Sequence, residues 1–223
     1  MTRWPMVLVL CAACGPGGTQ AGEPKDAVLV PQSRFAEDFE KLEPGPLPES
    51  FMVLDGKFVV KQEEKNRVLE LPGEPLDPKG VLFGAPAKDG LRVAASIRGT
   101  ARVKLAPAFG VGINGAGGWR LLVSPMRKAL ELFKGEEEKV SVPYTWESGT
   151  WTCFLLQSRK TGDKAWKVEG KAWVPGRGEP AAWTITADET EEPPAGRPSV
   201  WGVPYSDLPI QFDNLVVIGL ADK

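Results

Sequence analysis

The sequence predicts an all-β protein, an antiparallel β-sandwich of the jelly-roll type with almost no helix. Short runs rich in Val, Ile, Leu, Phe and Trp recur about every ten residues, the spacing of sandwich strands. Gly and Pro bound these runs, and the 25 Gly and 21 Pro of the 223 residues follow no repeat period. No ten-residue window keeps a 3.6-residue period; Lys128 to Lys134 comes nearest and amounts to one turn. With 42% apolar residues the chain can bury a proper core in one domain.

Taken in order, the chain opens with a basic Arg3, an apolar run from Met6 to Ala13 too short to span a bilayer, and small residues at Thr19-Gln20-Ala21. Residues 1–21 therefore read as an export signal, 22–33 as a tether and 34–223 as one sandwich domain. Leu10-Cys11-Ala12-Ala13-Cys14 resembles a bacterial lipobox with Cys14 as the lipidated residue, although Cys11 departs from its aliphatic position. Lipoprotein and freely secreted forms both stay open, which places the protein in the periplasm, on the outer membrane or outside the cell. Beyond the leader Cys153 has no cysteine to pair with, and its apolar neighbours suit a buried thiol.

The first folded strand is expected over Phe35–Glu40. Phe51–Leu54 and Lys57–Val60 then flank Asp55-Gly56, the two-residue signature of a type I′ hairpin. Arg67–Leu71, Gly80–Gly84, Leu91–Ile97, Ala108–Ile113, Trp119–Val123, Ala129–Phe133, Lys139–Val142 and Gly149–Gln157 follow. Asn114-Gly115 marks a second hairpin, which accounts for Gly110, Gly112 and Gly115 better than a dinucleotide loop, because no helix follows them. Trp166–Trp173 alternates apolar and charged residues, Ala182–Thr186 and Ser199–Val203 come next, and Pro209–Ile218 closes the set. In that last strand Asp213-Asn214 interrupts an otherwise apolar run, and the acids of the first strand are its expected neighbours.

Composition narrows the function. A net charge of −2, with no basic block, gives no footprint for nucleic acid. The absence of histidine removes Ser-His and Cys-His machinery. Any enzyme here would have to run on carboxylates, Lys, Tyr or Cys153, and a glycoside hydrolase would work through carboxylates.

The Asp-Gly opener at 51–60, the Gly-x-Trp strand ending at Gln157 and the Asp-Asn-bearing last strand resemble the concanavalin A-like lectin/glucanase superfamily, the laminin-G-like jelly roll. They are also similar to its 3-keto-disaccharide hydrolase-like subgroup, whose middle segments are not evident here. The Glu-x-Asp-x-x-Glu strand of the superfamily's family 16 glucanases is absent. The resemblance implies a structural calcium held by acids of the first and last strands, Glu40 and Asp213, with Asp38 as the substitute; the bland alternative is that Asp213 and Asn214 satisfy backbone donors. Of seven tryptophans beyond the leader, Trp146 and Trp201 have polar company, and with Tyr205 near Trp201 they are the expected ligand-binding residues. Trp151 and Trp183 read as core. The function expected is an exported, non-catalytic glycan-binding or adhesion module, with membrane contact only through a lipid anchor. The alternatives are a keto-disaccharide-type glycan hydrolase and an envelope protein-protein interaction module.

Overall fold

The computed structural model describes residues 32–73 and 75–220. The expected leader, with Cys14, and residues 22–31 of the tether lie outside the described residues. The strands run in the order β1 (Gln32–Glu37), β2 (Gly45–Pro46), β3 (Met52–Asp55), β4 (Val59–Glu63), β5 (Asn66–Leu71), β6 (Lys79–Leu82), β7 (Leu91–Arg98) and β8 (Ala108–Ile113). There follow β9 (Trp119–Ser124), β10 (Ala129–Lys134), β11 (Glu137–Pro143), β12 (Trp151–Gly162), β13 (Ala165–Trp173), β14 (Ile185–Glu189), β15 (Ser199–Val203) and β16 (Ile210–Gly219). Among the described residues there is no helix.

Two antiparallel sheets pack face to face. The nine-stranded sheet has the order β14-β13-β12-β7-β16-β5-β4-β2, with β1 also on β16, and the seven-stranded sheet has the order β11-β10-β9-β8-β15-β6-β3. Period-two alternation turns Val93, Ala95, Ile97, Phe154, Leu156, Phe212 and Val217 of the first sheet toward Phe109, Val111, Leu121, Leu130 and Val200 of the second. The expected sandwich is therefore what forms.

The first and last strands meet as anticipated. β1 lies antiparallel to the second half of β16, Glu37 opposite Leu215 and Phe35 opposite Val217, while β5 takes the first half, Leu69 opposite Phe212. Asp213 and Asn214 fall at the change of partner. There β16 bulges against β7: Asp213 stands opposite Ser96 and Val216 opposite Ala94, two residues against one, with Asn214 at φ 52. The polar interruption seen in the sequence is this bulge. β1 stops at Glu37, so Asp38 and Glu40 follow it in a turn rather than alternating along a strand, and Phe39 (φ 59) is driven into the core.

One expected hairpin does not form. β3 pairs with β6 in the seven-stranded sheet, whereas β4 pairs with β5 and β2 in the nine-stranded one. Asp55-Gly56 carries the chain from one layer to the other, its left-handed conformation (Gly56 φ 103) used for a crossing. The Asn114-Gly115 hairpin does form, with Ile113 opposite Trp119.

The bulge gives a direct test. Asn214→Gly should leave stability within about 0.5 kcal/mol, since both residues tolerate positive φ, whereas Asn214→Val should cost about 1–3 kcal/mol in urea unfolding.

Candidate functional site

The solvent-side face of the nine-stranded sheet carries the densest polar arrangement, and strand register orders it into rows, because directly opposed residues of an antiparallel ladder share a face. Trp151, Arg98, Gln211 and Glu70 form one row across β12, β7, β16 and β5. Trp173, Cys153, Ser96 and Asp213 form the next. Lys171, Leu155, Ala94 and Val216 follow, then Thr186, Glu169, Gln157 and Arg92. Small side chains at Ala94, Ser96 and Cys153 thus make a low floor between taller polar and aromatic neighbours.

Each charge on this face is held. Arg98 donates from Nε to Gln211 Oε1 at 2.9 Å and pairs with Glu63, and its guanidinium lies 4.8 Å from the Trp151 ring centre. Gln211 Nε2 donates to Glu70 at 3.1 Å, and Lys61 pairs with the other Glu70 oxygen at 2.7 Å. In the last row Arg92 Nε donates to Gln157 Oε1 at 2.9 Å, and Gln157 Nε2 passes the chain to Glu169 at 2.6 Å, where Arg159 also binds. Burial alone would raise the Glu169 carboxyl, but the hydrogen bonds from Arg159 and Gln157 outweigh it and hold it below the usual carboxylate range.

The connection from β13 to β14 folds over one side of this face. Lys171 Nζ donates to Glu179 Oε1 at 2.8 Å and to the Pro180 carbonyl at 2.6 Å, and the Trp183 ring stands 4.6 Å from the same ammonium and 5.9 Å from the Arg92 guanidinium. Gln157, Glu169 and Lys171 are buried, although they point away from the core. The rows of Trp151 and Trp173 are less covered. At their open end lies a depression of about 390 Å³ bounded by Glu63, Arg98, Thr100, Pro209 and Gln211.

The residues singled out from sequence are dispersed. Trp146 packs edge-on against Phe109 at 5.9 Å with its indole N–H buried, so it is no open platform. Trp201 belongs to the seven-stranded sheet and is only 9% exposed: Gly80 and Gly112 leave room beneath its ring, Arg120 stacks 4.6 Å from it, and its N–H donates to Ser199 Oγ at 2.8 Å. Tyr205 is exposed on the loop between β15 and β16. Trp151 and Trp183, read from sequence as core, are half-buried on the polar face. Parity along β12 was the available signal: Phe154 and Leu156 point inward, so Trp151, Cys153 and Leu155 cannot. Cys153 is half-buried there with no disulfide, and burial pushes its thiol up.

Asp213, 7% exposed, accepts hydrogen bonds from Asn66 Nδ2 at 3.1 Å and from the Asn214 N–H at 2.6 Å. Glu40 Oε1 accepts the Arg67 N–H at 3.1 Å. Burial pushes the Asp213 carboxyl up to about 6 despite its hydrogen bonds, and the negative charges of Glu40 and Asp38 add to the rise. Glu40 and Asp213 therefore do sense each other. Among the described residues, no three acidic or sulfur side chains gather closely enough to make a metal site by themselves.

No protein-family model matches the sequence, and no curated protein matches it. Solved structures do share its shape. The carbohydrate-binding module CBM66 from Bacillus subtilis superposes with a TM-score of 0.52 at 10% identity, covering 76% of this chain and 96% of its own. The exoplasmic/lumenal domain of VIP36 in its Ca2+/Man3GlcNAc-bound form gives 0.51 at 9% identity over 79% and 86% of the two chains, and the apo Crh5 transglycosylase gives 0.54 at 12% identity over 84% of each. The fold is the concanavalin A-like β-sandwich. Within that fold a binding module, a sugar-loaded lumenal domain and a transglycosylase all occur, so shape alone does not choose a chemistry.

The raised Asp213 acid gives a pH signature. The folded state binds this proton more tightly than the unfolded state, so its contribution is fully present below about pH 4 and is lost as pH rises through about 6. In chelator-containing buffer, the stability of the native chain relative to Asp213→Asn should fall by up to about 3 kcal/mol between pH 4 and 7. Urea midpoints measured across that range check it; a constant difference would mean Asp213 titrates normally.

Proposed function

We propose that this chain is an exported glycan-binding protein whose ligand lies along the outer face of the nine-stranded sheet, over the rows of Trp151 and Trp173. One observation carries this reading: a low floor of Ser96 and Cys153 is flanked by half-buried indoles and by carboxylates and amides already fixed in charge and position. Indole faces suit the C–H side of a sugar ring, and ionised carboxylates and amide oxygens accept hydrogen bonds from hydroxyls. Because Glu63, Glu70 and Glu169 each meet a base, the face suits a neutral, hydroxyl-rich ligand. The glycan-linked proteins sharing the fold support this choice.

Binding is favoured over hydrolysis by the state of the carboxylates. A retaining glycosidase needs two carboxyl groups about 5 Å apart, one with a raised pKa. Glu63, Glu70 and Glu169 are paired with Arg98, Lys61 and Arg159, and burial pushes Asp213 toward neutrality. A keto-disaccharide-type hydrolase would use Asp213 as its acid, and release of product from a panel of chromogenic glycosides would support that alternative.

Calcium belongs to the same proposal. A Ca2+ takes about six to eight oxygens, and Glu40 with Asp213 would supply its charged ligands where β16 changes partner, with Asp38 and backbone carbonyls nearby. Saturating Ca2+ should then raise the melting temperature by several degrees, and Glu40→Gln should abolish that rise. An unchanged melting curve would remove calcium from the proposal.

The ligand reading is tested on a glycan array followed by titration with the best oligosaccharide. Trp151→Ala and Trp173→Ala should each weaken binding about tenfold, the worth of one stacked ring, while Trp201→Phe on the opposite sheet should leave it unchanged. If only the Trp201 variant loses affinity, the site lies on the seven-stranded sheet, where a ligand would displace the Arg120 guanidinium.

A further inference from the structure

Large apolar side chains are unevenly exposed. Strand register places the connections β6 follows from and β15, β9 and β7 lead into at one end of the sandwich: Val203 opposes Ala108, Ser124 opposes Ala129 and Gly202 opposes Lys79. From this end project Leu76, Val103, Leu105, Met126 and Tyr205, all exposed. Among the described residues, the remaining exposed large hydrophobics are Met52, Val53 and Leu54 on edge strand β3, which runs from the opposite end, where Met52 faces Leu82, to this one, where Asp55 faces Gly80. The connections at the opposite end, 84–90, 114–118, 160–164 and 190–197, expose only small, proline, polar and charged residues.

Val103 is the extreme case. It sits at the tip of a tight turn closed by hydrogen bonds between Arg102 and Leu105, is 96% exposed, and has φ 48, a conformation that a β-branched residue rarely adopts. Arg102 pairs with Asp207 at 3.2 Å, which ties this turn to the loop bearing Tyr205.

Among the described residues of this end, bases outnumber acids. Asp55 and Asp77 share Lys79, Glu147 pairs with Arg177, Glu179 with Lys171, and Asp207 with Arg102. Lys57, Lys104 and Lys128, exposed on the same loops, have no acidic partner among the described residues.

We propose that this end docks on an anionic lipid surface, with Val103, Leu105 and Met126 entering the headgroup boundary and Lys57, Lys104 and Lys128 facing lipid phosphates. Apolar tips spread over several loops, Val103 and Leu105 on one and Met126 on another, suit a fluid interface into which each loop can sink independently. Unpaired lysines at their bases supply the attraction that a few small tips need for measurable, reversible binding. This contact is independent of the sugar-binding face and of any lipid on Cys14.

Flotation of residues 22–223, which omits Cys14, with phosphatidylcholine vesicles containing 30% phosphatidylglycerol tests it. The expected result is co-flotation at low salt that falls in 0.5 M salt and in pure phosphatidylcholine, and about a tenfold loss of bound fraction for Val103→Glu/Leu105→Glu. Unchanged thermal unfolding of that variant and full binding by Ala116→Glu at the opposite end complete the expected pattern. No co-flotation of the native chain, or equal co-flotation of native and Val103→Glu/Leu105→Glu proteins, would overturn the proposal.

Discussion

The structure depends on β16 and the sharing of its two edges. One edge pairs with β7 along nearly its whole length, while the other is divided between β5 and β1, so the last strand joins the first strand and the middle of the chain in one sheet. Phe212, Leu215 and Val217 are fully or almost fully buried from this strand, and Phe58 meets Phe212 at 5.9 Å. A strand with three neighbours cannot keep one register with all of them. The misfit is absorbed at Asp213-Asn214, where a bulge rotates the chain and leaves backbone groups that side chains must satisfy. The Asp213 carboxylate accepts the Asn214 N–H there and the Asn66 side-chain amide, Glu40 accepts the Arg67 N–H of the adjoining β5, and a carboxyl fixed in that dry junction is pushed toward neutrality. The acid at the centre of the calcium proposal is thus a consequence of topology.

The outer faces of both sheets are more buried than solvent-side faces of antiparallel sheets usually are, for different reasons. On the seven-stranded sheet glycines are responsible. A Cβ at Gly80 would come within 2.9 Å of the Trp201 ring and one at Gly112 within 3.1 Å of its nitrogen, so their absence lets the indole lie flat under Arg120. On the nine-stranded sheet the cover is a folded-back connection, pinned by Lys171 to Glu179 and Pro180. The first arrangement is closed by its own side chains. The second leaves its floor open along the rows of Trp151 and Trp173, which is why the proposed sugar-binding face lies there.

Much of this fold was legible in the letters. Period-two runs, their Gly and Pro boundaries, the Asn114-Gly115 hairpin and the adjacency of first and last strands all follow from local chemistry or from the need to bury apolar faces. Asp55-Gly56 misled because a positive-φ pair specifies a sharp reversal and says nothing about whether the next strand stays in the same layer. Phe35–Glu40 was read as one regular strand because Phe39 looked like the next inward residue; it is inward, but by a turn at positive φ. The candidate site was less readable still. Trp146 and Trp201 have polar neighbours in sequence, yet Trp201 is buried and the half-buried Trp146 packs its ring on the core, whereas Trp151 and Trp183 have apolar neighbours and stand half-buried on the polar face, since the surroundings of a large ring are decided by distant parts of the chain.

Two surfaces of contrasting electrostatics follow from these constraints. Along the nine-stranded sheet, residues two apart on a strand share a face, so Lys167, Glu169 and Lys171 of β13 stand in line beside Gln157 and Arg159 of β12, and opposite charges meet at fixed spacing. Such a lattice is strongly polar but carries little net field, and its hydrogen-bonding groups are oriented before any ligand arrives, which lowers the ordering cost of binding. Loops are under no such register. At the apolar end, lysines therefore remain unmatched beside exposed Val103 and Met126, producing a surface whose charge and apolarity are both uncompensated. A matched face suits a neutral ligand read by geometry; an unmatched end suits an extended, oppositely charged surface read by attraction. The two can operate on one small domain because the sandwich separates them, one across the strands and the other at their tips.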